Sequence, residues 1–398
     1  MRSRYLDTIC LSKSTVERSR DGKDGAKKAP GHEGPNHQRR LPMLKSHDAG
    51  LSGFRAWTRR TAFSLATLLA ATGMADAAEL NIYNWGEYIN PEVLKKFEEE
   101  TKIKVKLSTY SSNEEMLAKI QGGASGYDVI FPSVHMQDIM AKLDLLEKTD
   151  INKYEGFKNI DPLFLRAKSD PNGEYCLPYA WGSVGIFYNR KILGKDVTGW
   201  KNLIETVKAK GLKFTLLDDM REVMAVGLIL NGHKINSTDP AELQQAADTI
   251  IAMKPDVAAF TYDARPMVQS GEIAASQYFV GAMIDVFGNE KDLGYVIPEE
   301  GATMYQEDVC VLKSAPNKEN AIKFLQFYTR PEVVALNVSQ QTNGTANMPA
   351  RQLTVEKIKN SKEINPPVET MNRLQIFEDL GPALRQVDRV WTRVKTAQ

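Results

Sequence analysis

The chain has 398 residues, which is more than one hydrophobic core usually needs, so its length predicts two domains or lobes. Its net charge of +1 is unevenly distributed: residues 1–77 hold 14 Lys and Arg against 7 Asp and Glu, whereas residues 78–398 hold 37 against 43. A mildly acidic body argues against a nucleic-acid partner and is compatible with a cationic ligand.

The first 77 residues indicate export. Residues 1–54 have mixed charge and no apolar periodicity, which predicts a disordered extension. Residues 55–77 combine three arginines, an apolar run too short to span a bilayer comfortably, and the small-x-small cleavage sequence ADA. Because a signal peptide normally begins near its initiator and Met43 stands in that position, residues 1–42 are interpreted as an over-called start. We therefore expect a periplasmic mature chain that begins at residue 78 and has no stable membrane insertion.

The mature chain begins with alternating strands and helices. Its apolar pattern predicts a short strand, a helix capped by Asn90 with Pro91 in its first position, a half-exposed strand, a second helix, a buried strand and a third helix. This order predicts a parallel sheet covered by helices on both faces. Apart from the first helix, the predicted elements lie at Leu80–Tyr83, Ile103–Leu107, Asn113–Ile120, Tyr127–Phe131 and Met136–Leu143.

A second α/β unit begins around Gly185, and no Gly/Ser linker precedes it. Two α/β lobes without a flexible linker predict a cleft between them, where small ligands usually bind. The predicted strands are Ile186–Tyr188, Phe214–Leu217, Ala274–Phe279, Tyr295–Ile297 and Glu307–Leu312, and the predicted helices are Trp200–Lys208, Glu222–Leu230, Ala241–Met253, Ala264–Gln269, Lys318–Phe327, Pro331–Gln340 and a C-terminal amphipathic segment.

Acidic and aromatic side chains follow several predicted strands, at the strand ends where α/β sheets bind ligands. Aromatic rings attract ammonium groups and carboxylates add charge-assisted hydrogen bonds, so this set predicts a site for an organic amine. Other interpretations stay open: Trp85 and Tyr88 could be core aromatics, Asp218 and Asp219 could cap a helix, and Trp181 could pack at a hinge. The side chains after the strands are Trp85, Glu87, Tyr88, Ser133, His135, Asp218, Asp219, Arg221, Glu222, Phe279, Tyr305, Glu307 and Asp308.

Two cysteines, Cys176 and Cys310, remain after cleavage and either form one disulfide or stay buried thiols. Together with His135 and His233 they are too few to predict a zinc site. The chain lacks the local signatures of serine hydrolases, zinc proteases and nucleotide-binding enzymes. Only Ser133 and His135 come close to a nucleophile and a base, so we expect no catalytic activity, no metal and no cofactor.

Four segments carry a resemblance to a known family: YNWGEYINPEVLKKFEEETKIKV, YDVIFPSVHMQDIM, LPYAWGSVGIFYNR and LLDDMREVMAVGL. In their order and spacing, residues 78–398 resemble the periplasmic spermidine/putrescine-binding proteins of polyamine ABC transporters. The resemblance implies an α/β type II periplasmic binding-protein fold with two lobes, each a mixed, mostly parallel sheet flanked by helices. It implies hinge segments near Ser183–Tyr188, Gln306–Asp308 and Arg351–Thr354, lobe 1 at 78–183 and 307–351, and lobe 2 at 188–306 and 354–398.

The resemblance also implies roles for individual residues. The loop after the first strand would supply aromatics of a ligand cage with an acid beside them. Ser133 would offer a polar contact, and His135 stands where the family often has an aromatic. Asp219 and Glu222 would hold an amino group from lobe 2, and Asp308 would hold an ammonium group from the hinge. The candidate ligand-binding residues are Trp85, Glu87, Tyr88, Ser133, His135, Asp219, Glu222, Phe279, Tyr305 and Asp308.

The chain departs from the family's pattern at several cage positions. The acids are kept, whereas part of the aromatic cage is replaced, so the pattern predicts an amine without fixing its length. The departures are Phe279 for a usual Trp, Gln306 for an aromatic (with Tyr305 adjacent), Asn343 for a common Tyr, Phe377 for a polar residue, and Ala282 for an Asp of putrescine-preferring members.

We therefore expect a monomeric periplasmic binding protein that captures a polyamine and delivers it to an inner-membrane ABC permease. A second hypothesis keeps the fold but changes the ligand to another amine or to a zwitterion, such as an amino acid derivative or an opine-like compound. That ligand would need a cation for its carboxylate, and Arg221 and Arg265 are the candidates. A polyamine sensor without a transport role is a third hypothesis.

Overall fold

The computed structural model describes residues 78–397. The predicted N-terminal extension and the signal peptide lie outside the described residues. Export by a signal peptide and the start of translation therefore stay predictions.

Ten strands form one mixed sheet in the described part of the chain. Its strand order is β2-β1-β3-β9-β4-β7-β5-β6, with β10 paired to β9 and β8 paired to β4. The strands are β1 (Glu79–Trp85), β2 (Lys104–Tyr110), β3 (Val129–Ile130), β4 (Cys176–Asn189), β5 (Phe214–Leu216), β6 (Val257–Phe260), β7 (Ala275–Phe279), β8 (Leu293–Val296), β9 (Ala302–Val311) and β10 (Leu374–Ile376).

Fifteen α-helices cover this sheet within residues 78–397. They are α1 (Pro91–Thr101), α2 (Asn113–Gln121), α3 (Val134–Lys142), α4 (Arg190–Leu193), α5 (Trp200–Lys210), α6 (Met220–Leu230), α7 (Pro240–Met253), α8 (Arg265–Ser270), α9 (Met283–Gly288), α10 (Lys318–Tyr328), α11 (Pro331–Gln341), α12 (Met348–Leu353), α13 (Glu356–Asn360), α14 (Val368–Met371) and α15 (Leu384–Thr396).

Two parallel groups of strands lie on the two sides of a central antiparallel pair. In lobe 1, β1 pairs in parallel with β2 and β3; in lobe 2, β5 pairs in parallel with β6 and β7. The first helix starts as its sequence predicts, because the Asn90 side chain accepts a hydrogen bond from the Glu92 backbone N–H at 2.9 Å and Pro91 follows the cap. Val93 and Phe97 form the buried side of that helix.

The central strands β4 and β9 connect the lobes. They pair antiparallel from Cys176 opposite Cys310 to Val184 opposite Thr303, and every residue of β4 is buried. The C-terminal half of β4 pairs with β7 and β8, and the C-terminal end of β9 pairs with β3. Two of the predicted hinge segments therefore lie within these strands. The residue limits that we gave for the lobes stay a prediction.

Cys176 and Cys310 form a disulfide in the structure. The two residues lie directly opposite each other on β4 and β9 and are separated by 134 positions in sequence. The sequence left a disulfide and two free thiols open, and this pairing decides for the disulfide. The bond fixes the lobe 1 ends of the two central strands to each other.

Strand β4 is much longer than the predicted Ile186–Tyr188. The prediction was too short because the sequence of β4 contains proline and glycine, which usually end a strand. Pro178 is tolerated at an irregularity in the pairing with β9. Gly182 and Gly185 are needed for close packing, since a Cβ atom at these positions would overlap Tyr305 and the Val296 carbonyl oxygen. Strand β6 was not predicted at all: it has four residues, and none of them is fully buried.

Candidate functional site

A buried acid on β9 contacts the loop that follows β1. The Tyr88 hydroxyl donates a hydrogen bond to Glu307 Oε2 at 2.7 Å, and Glu307 is 7% exposed. Burial raises the pKa of the Glu307 carboxyl to about 8; the Tyr88 hydrogen bond opposes this shift and the adjacent Asp308 adds to it. No cation contributes to the pKa of this carboxyl among the described residues.

Alternation along β9 separates Glu307 from Asp308. Successive side chains of a strand point to opposite faces, so Thr303, Tyr305 and Glu307 share one face and Asp308 lies on the other. There Asp308 Oδ1 accepts a hydrogen bond from Gln306 Nε2 at 2.8 Å. Burial raises the pKa of Asp308 to about 7, and Asp170 and Asp138 raise it further.

The structure therefore does not bring Asp308 together with the other candidate residues, and Glu307 is the acid of β9 on the face of Tyr305. The sequence contained a signal for this correction. Tyr305 and Asp308 are three positions apart and cannot share a face of a regular strand, whereas Tyr305 and Glu307 can. Tyr305 is also the aromatic on that face, whereas Gln306 lies on the face of Asp308.

The other lobe 1 candidates surround this contact. Trp85 is half-buried, and its indole N–H donates to the Phe131 carbonyl oxygen at 2.8 Å. Glu87 is exposed and has a left-handed backbone, with φ of 54°. Ser133 pairs with Glu307 through an antiparallel backbone bridge. Its hydroxyl oxygen accepts from Asn113 Nδ2 at 2.7 Å and lies 3.2 Å from His135 Nδ1.

His135 is a weak base in this environment. Burial lowers its pKa to about 4, and the Arg221 charge lowers it further, whereas Asp379 and Asp138 act in the opposite direction. The imidazole is therefore neutral at neutral pH. Such a group is poorly suited to activate the Ser133 hydroxyl as a nucleophile.

The two lobe 2 acids have different contacts: Asp219 caps helix α6, and Glu222 contacts the central strand β9. Asp219 Oδ1 accepts from the backbone N–H groups of Arg221 at 2.8 Å and Glu222 at 3.0 Å, so the capping interpretation is confirmed for Asp219. Asp218 instead pairs with Lys395 Nζ at 2.6 Å. Glu222 is buried, and its Oε2 accepts from the Thr303 hydroxyl at 2.6 Å. Burial raises the pKa of Glu222 to about 8, and Asp219 raises it further, while Thr303 and Arg221 lower it.

Three aromatic rings form a series from Tyr305 through Phe279 to Tyr262, whose hydroxyl reaches Asp219. The Phe279 ring meets Tyr305 edge-on, with 5.6 Å between centroids, and lies parallel to Tyr262 at 6.4 Å. The Tyr305 hydroxyl donates to Asn343 Oδ1 at 2.8 Å. Tyr262 was missed by the sequence analysis, because it follows β6, the strand that was not predicted. Recognising that strand would have placed Tyr262 at the ligand-binding edge of the sheet.

The face of β9 that carries Tyr305 aligns these groups in a row. Thr303, which binds Glu222, and Glu307 are four residues apart, which corresponds to about 13 Å along a strand. Tyr305 lies between them, and burial together with Glu307 and Glu222 raises its pKa well above the usual range. We call Tyr88, Glu222, Phe279, Tyr305 and Glu307 the candidate site. It offers two buried carboxyl groups separated by aromatic surface.

Both arginines considered for a zwitterionic ligand already have partners in lobe 2. Arg265 makes a two-point ion pair with Asp285 at 2.7 and 2.8 Å. Arg221 donates to the Glu378 carbonyl oxygen and to Asn236 Oδ1, each at 2.8 Å, and its guanidinium lies 4.3 Å from the Phe377 ring centroid. Burial lowers the pKa of Arg221 to about 10, so it remains charged at neutral pH.

Two ion pairs connect the parts of the chain predicted to form the two lobes. Lys142 Nζ lies 2.7 Å from Asp379 Oδ2, and Lys168 Nζ lies 2.7 Å from Glu378 Oε2. The lysine side chains are 66% and 69% exposed, so water screens both pairs. The two acids are neighbours in sequence and contact separate elements of lobe 1.

Within residues 78–397 no group of three or more His, Cys, Asp or Glu side chains is arranged to hold a metal ion. None of the helices in this part of the chain is long and apolar enough to cross a membrane.

Relatives of known name match most of the chain. The family described as bacterial extracellular solute-binding protein matches residues 92–366. The spermidine/putrescine-binding periplasmic protein of Salmonella typhimurium is 33% identical over 350 residues, which cover 86% of this chain and 100% of that protein. The putrescine-binding periplasmic protein SpuD of Pseudomonas aeruginosa is 33% identical over 365 residues, which cover 83% of this chain and 98% of that protein.

A solved structure shares the architecture. The spermidine/putrescine ABC transporter substrate-binding protein PotD of Streptococcus pneumoniae superposes with a TM-score of 0.73 at 32% identity, covering 80% of this chain and 99% of that chain. This similarity confirms the two-lobed type II binding-protein fold that the sequence predicted. The chain therefore belongs to the family of bacterial extracellular solute-binding proteins.

Proposed function

We propose that the protein is the periplasmic substrate-binding component of an ABC importer. It captures a polyamine of the putrescine or spermidine kind between its lobes and delivers it to a membrane permease. The observation that carries this proposal is the pair of buried acids, Glu222 and Glu307, on either side of aromatic rings.

The two acids suit an organic dication. A carboxyl group that is buried without a cation resists ionisation, which agrees with the raised pKa values of Glu222 and Glu307. A bound ammonium group would favour the ionised form and form a charge-assisted hydrogen bond with it. The separation of about 13 Å between Thr303 and Glu307 along β9 is of the order of an extended aliphatic chain with an ammonium group at each end.

The aromatic rings suit the rest of such a ligand. Tyr88, Tyr305 and Phe279 present apolar surface to methylene groups and ring faces to ammonium groups, and a cation–π contact contributes roughly 0.5–2 kcal/mol. The relatives are named as spermidine/putrescine-binding and putrescine-binding proteins, which supports the same ligand class. The existing contacts of the two arginines favour an amine over a zwitterion. Asp285 pairs with Arg265, and Arg221 already donates to the Glu378 carbonyl oxygen and to Asn236.

Ligand binding would act by favouring the closed arrangement of the lobes. A ligand shifts a conformational equilibrium only when it binds one state better than the other. A polyamine held by Tyr88 of lobe 1, Glu222 of lobe 2 and Glu307 of the central strands would meet this condition, because its contacts would come from both lobes. The closed, loaded monomer would then dock on the permease. Export to the periplasm would follow from the signal peptide at residues 55–77.

Titration calorimetry of the purified protein with spermidine, putrescine and the zwitterion γ-aminobutyrate tests the ligand class. We expect at least one polyamine to bind well below millimolar, a level worth only about −4 kcal/mol, and to bind more tightly than γ-aminobutyrate. Failure of both polyamines to bind, or tighter binding of the zwitterion, would overturn the proposal. Uptake of labelled polyamine by cells with and without the gene separates transport from sensing.

A further inference from the structure

We propose that Tyr262 is a specificity-determining residue of this site, which favours longer polyamines over shorter ones. The inference rests on the proposed function and deepens it. It starts from a ring that no sequence pattern assigned to the ligand, and that the fold brings next to Asp219 and Phe279.

The position of Tyr262 follows from strand pairing. Strands β5 and β6 are parallel, so the loops after them emerge at the same edge of the sheet. The backbone N–H of Thr261 donates to the Leu216 carbonyl oxygen at 2.8 Å, which ties the end of β6 to the end of β5. Tyr262 is the next residue, and Asp219 follows β5. Tyr262 therefore lies at the lobe 2 end of the row that begins at Glu307.

The hydroxyl of Tyr262 fixes the remaining oxygen of Asp219. It donates to Asp219 Oδ2 at 3.1 Å, whereas Asp219 Oδ1 accepts from two backbone N–H groups of helix α6. Burial and the Asp219 charge raise the pKa of Tyr262 well above its usual range, so the hydroxyl keeps its proton and stays a donor. Both oxygens of Asp219 are thus held in place, so the carboxylate group has a fixed orientation.

The ring of Tyr262 extends the aromatic surface. It lies within 6° of parallel to Phe279, and Phe279 meets Tyr305 edge-on, so the three rings form one continuous series. Tyr262 is 46% exposed, which leaves ring surface free for a ligand. Phe279 and Tyr305 are each only partly exposed.

This arrangement discriminates by length. Glu307 lies on the same face of β9 as Tyr305, Tyr305 contacts Phe279, and Phe279 contacts Tyr262. From this order of contacts we infer that a ligand with one ammonium group at Glu307 must extend past Tyr305 and Phe279 to reach Tyr262 and Asp219. Spermidine is a longer chain with three amino groups, whereas putrescine is a shorter chain with two. We therefore expect Tyr262 to contribute to spermidine binding and to contribute little to putrescine binding.

The test compares both polyamines across variants at one position. Tyr262→Ala should weaken spermidine binding about five- to tenfold, the size of one cation–π contact, and change putrescine binding less than about twofold. Tyr262→Phe and Tyr262→Trp keep a ring and should retain most of the spermidine preference. Tyr154→Ala, which removes a 40% exposed tyrosine of lobe 1, is the matched control and should leave both dissociation constants unchanged.

The outcomes separate this inference from the proposed function. If the wild-type protein binds polyamines and Tyr262→Ala binds spermidine and putrescine as the wild type does, or loses both equally, Tyr262 does not set specificity. If the wild-type protein binds neither polyamine, the proposed function fails and this inference fails with it. Thermal unfolding of each variant controls for folding. A nearly unchanged midpoint is expected, because Tyr262 is 46% exposed and Asp219 keeps its two backbone hydrogen bonds to helix α6 without the Tyr262 hydroxyl.

Discussion

The Tyr88 hydroxyl donates to the Glu307 carboxyl at 2.7 Å and joins the loop after β1 to a central strand that serves both lobes. The two residues are 219 positions apart in sequence, so the contact depends on the folded sheet. Without a bound cation, Glu307 has one hydroxyl partner and a raised pKa. A group of this kind gains most from a ligand that supplies positive charge.

Neutralising Glu307 should weaken polyamine binding strongly, whereas the same change at its neighbour should not. Glu307→Gln removes a hydrogen bond to a charged group, a contribution of about 1.5–3 kcal/mol, so we expect about a 10- to 150-fold higher dissociation constant. Asp308→Asn is the matched control on the opposite face of β9 and should stay within about threefold of wild type. A larger loss in Asp308→Asn, measured by calorimetry, would favour the sequence-based assignment.

Polyamine binding should become tighter as the pH rises from 6 to 8. Glu307 and Glu222 have pKa values of about 8 without ligand, and the bound ammonium groups favour their ionised forms, so binding below pH 8 releases protons. The amines stay protonated over this range, because an alkyl ammonium has a pKa near ~10.4. Affinity should therefore rise by at most about tenfold per pH unit for each ionising carboxyl and level off above pH 8.

Calorimetry in buffers of different ionisation enthalpy measures this proton release. The release should be reduced in Glu307→Gln and unchanged in Asp308→Asn. Affinity that is independent of pH between 6 and 8 would show that neither buried acid ionises on binding.

The ion pairs Lys142–Asp379 and Lys168–Glu378 should slow ligand release. Both connect lobe 1 to the C-terminal part of lobe 2, and exposed pairs contribute about 0.2–1 kcal/mol each. The double variant Lys142→Ala/Lys168→Ala should release ligand about two- to thirtyfold faster at low salt, and the difference should shrink at high salt. Lys158→Ala breaks an ion pair with Glu155 inside lobe 1 and is the control. Equal stopped-flow dissociation rates in all three proteins would rule out this role.

Loss of the disulfide should lower stability and spare ligand binding. In the chain-entropy description, a crosslink between residues 134 positions apart stabilises the fold by about 5 kcal/mol at most. Cys310 and Glu307 are three positions apart on β9, so the bond lies on the face away from the candidate site. Cys176→Ser/Cys310→Ser should unfold at a lower temperature than the wild type, with a polyamine dissociation constant within about threefold. Equal melting temperatures in oxidised and reduced protein would contradict the stabilising role.

Much of the fold could be predicted from local patterns. The Asn90–Pro91 helix start, the buried strand before Pro132 and the parallel arrangement each depend on short-range signals that the structure keeps. Strand β4 was cut short because Pro178 and two glycines usually end strands, and here tertiary packing overrides that preference. Strand β6 has no strong alternation, since none of its four residues is fully buried, and its strand conformation comes from pairing with β5.

The candidate site was predicted in part. Tyr88, Glu222, Phe279 and Tyr305 are brought together, whereas Asp308 faces the other side of β9. The assignment of Asp308 differs from the structure by one residue along the strand. Because side chains of a strand alternate between its two faces, a shift of one residue places the side chain on the opposite face. Tyr262 was missed because its position depends on the pairing of β6 with β5, which local sequence does not encode.

A crystal structure of the protein grown with spermidine tests the central claim most directly. We predict spermidine between the lobes, with an ammonium nitrogen within about 3.2 Å of a Glu307 carboxylate oxygen and the chain running along Tyr305 and Phe279 towards Glu222. Spermidine bound outside the candidate site, or an ammonium group held by Asp308 with Glu307 still hydrogen-bonded only to Tyr88, would contradict the account.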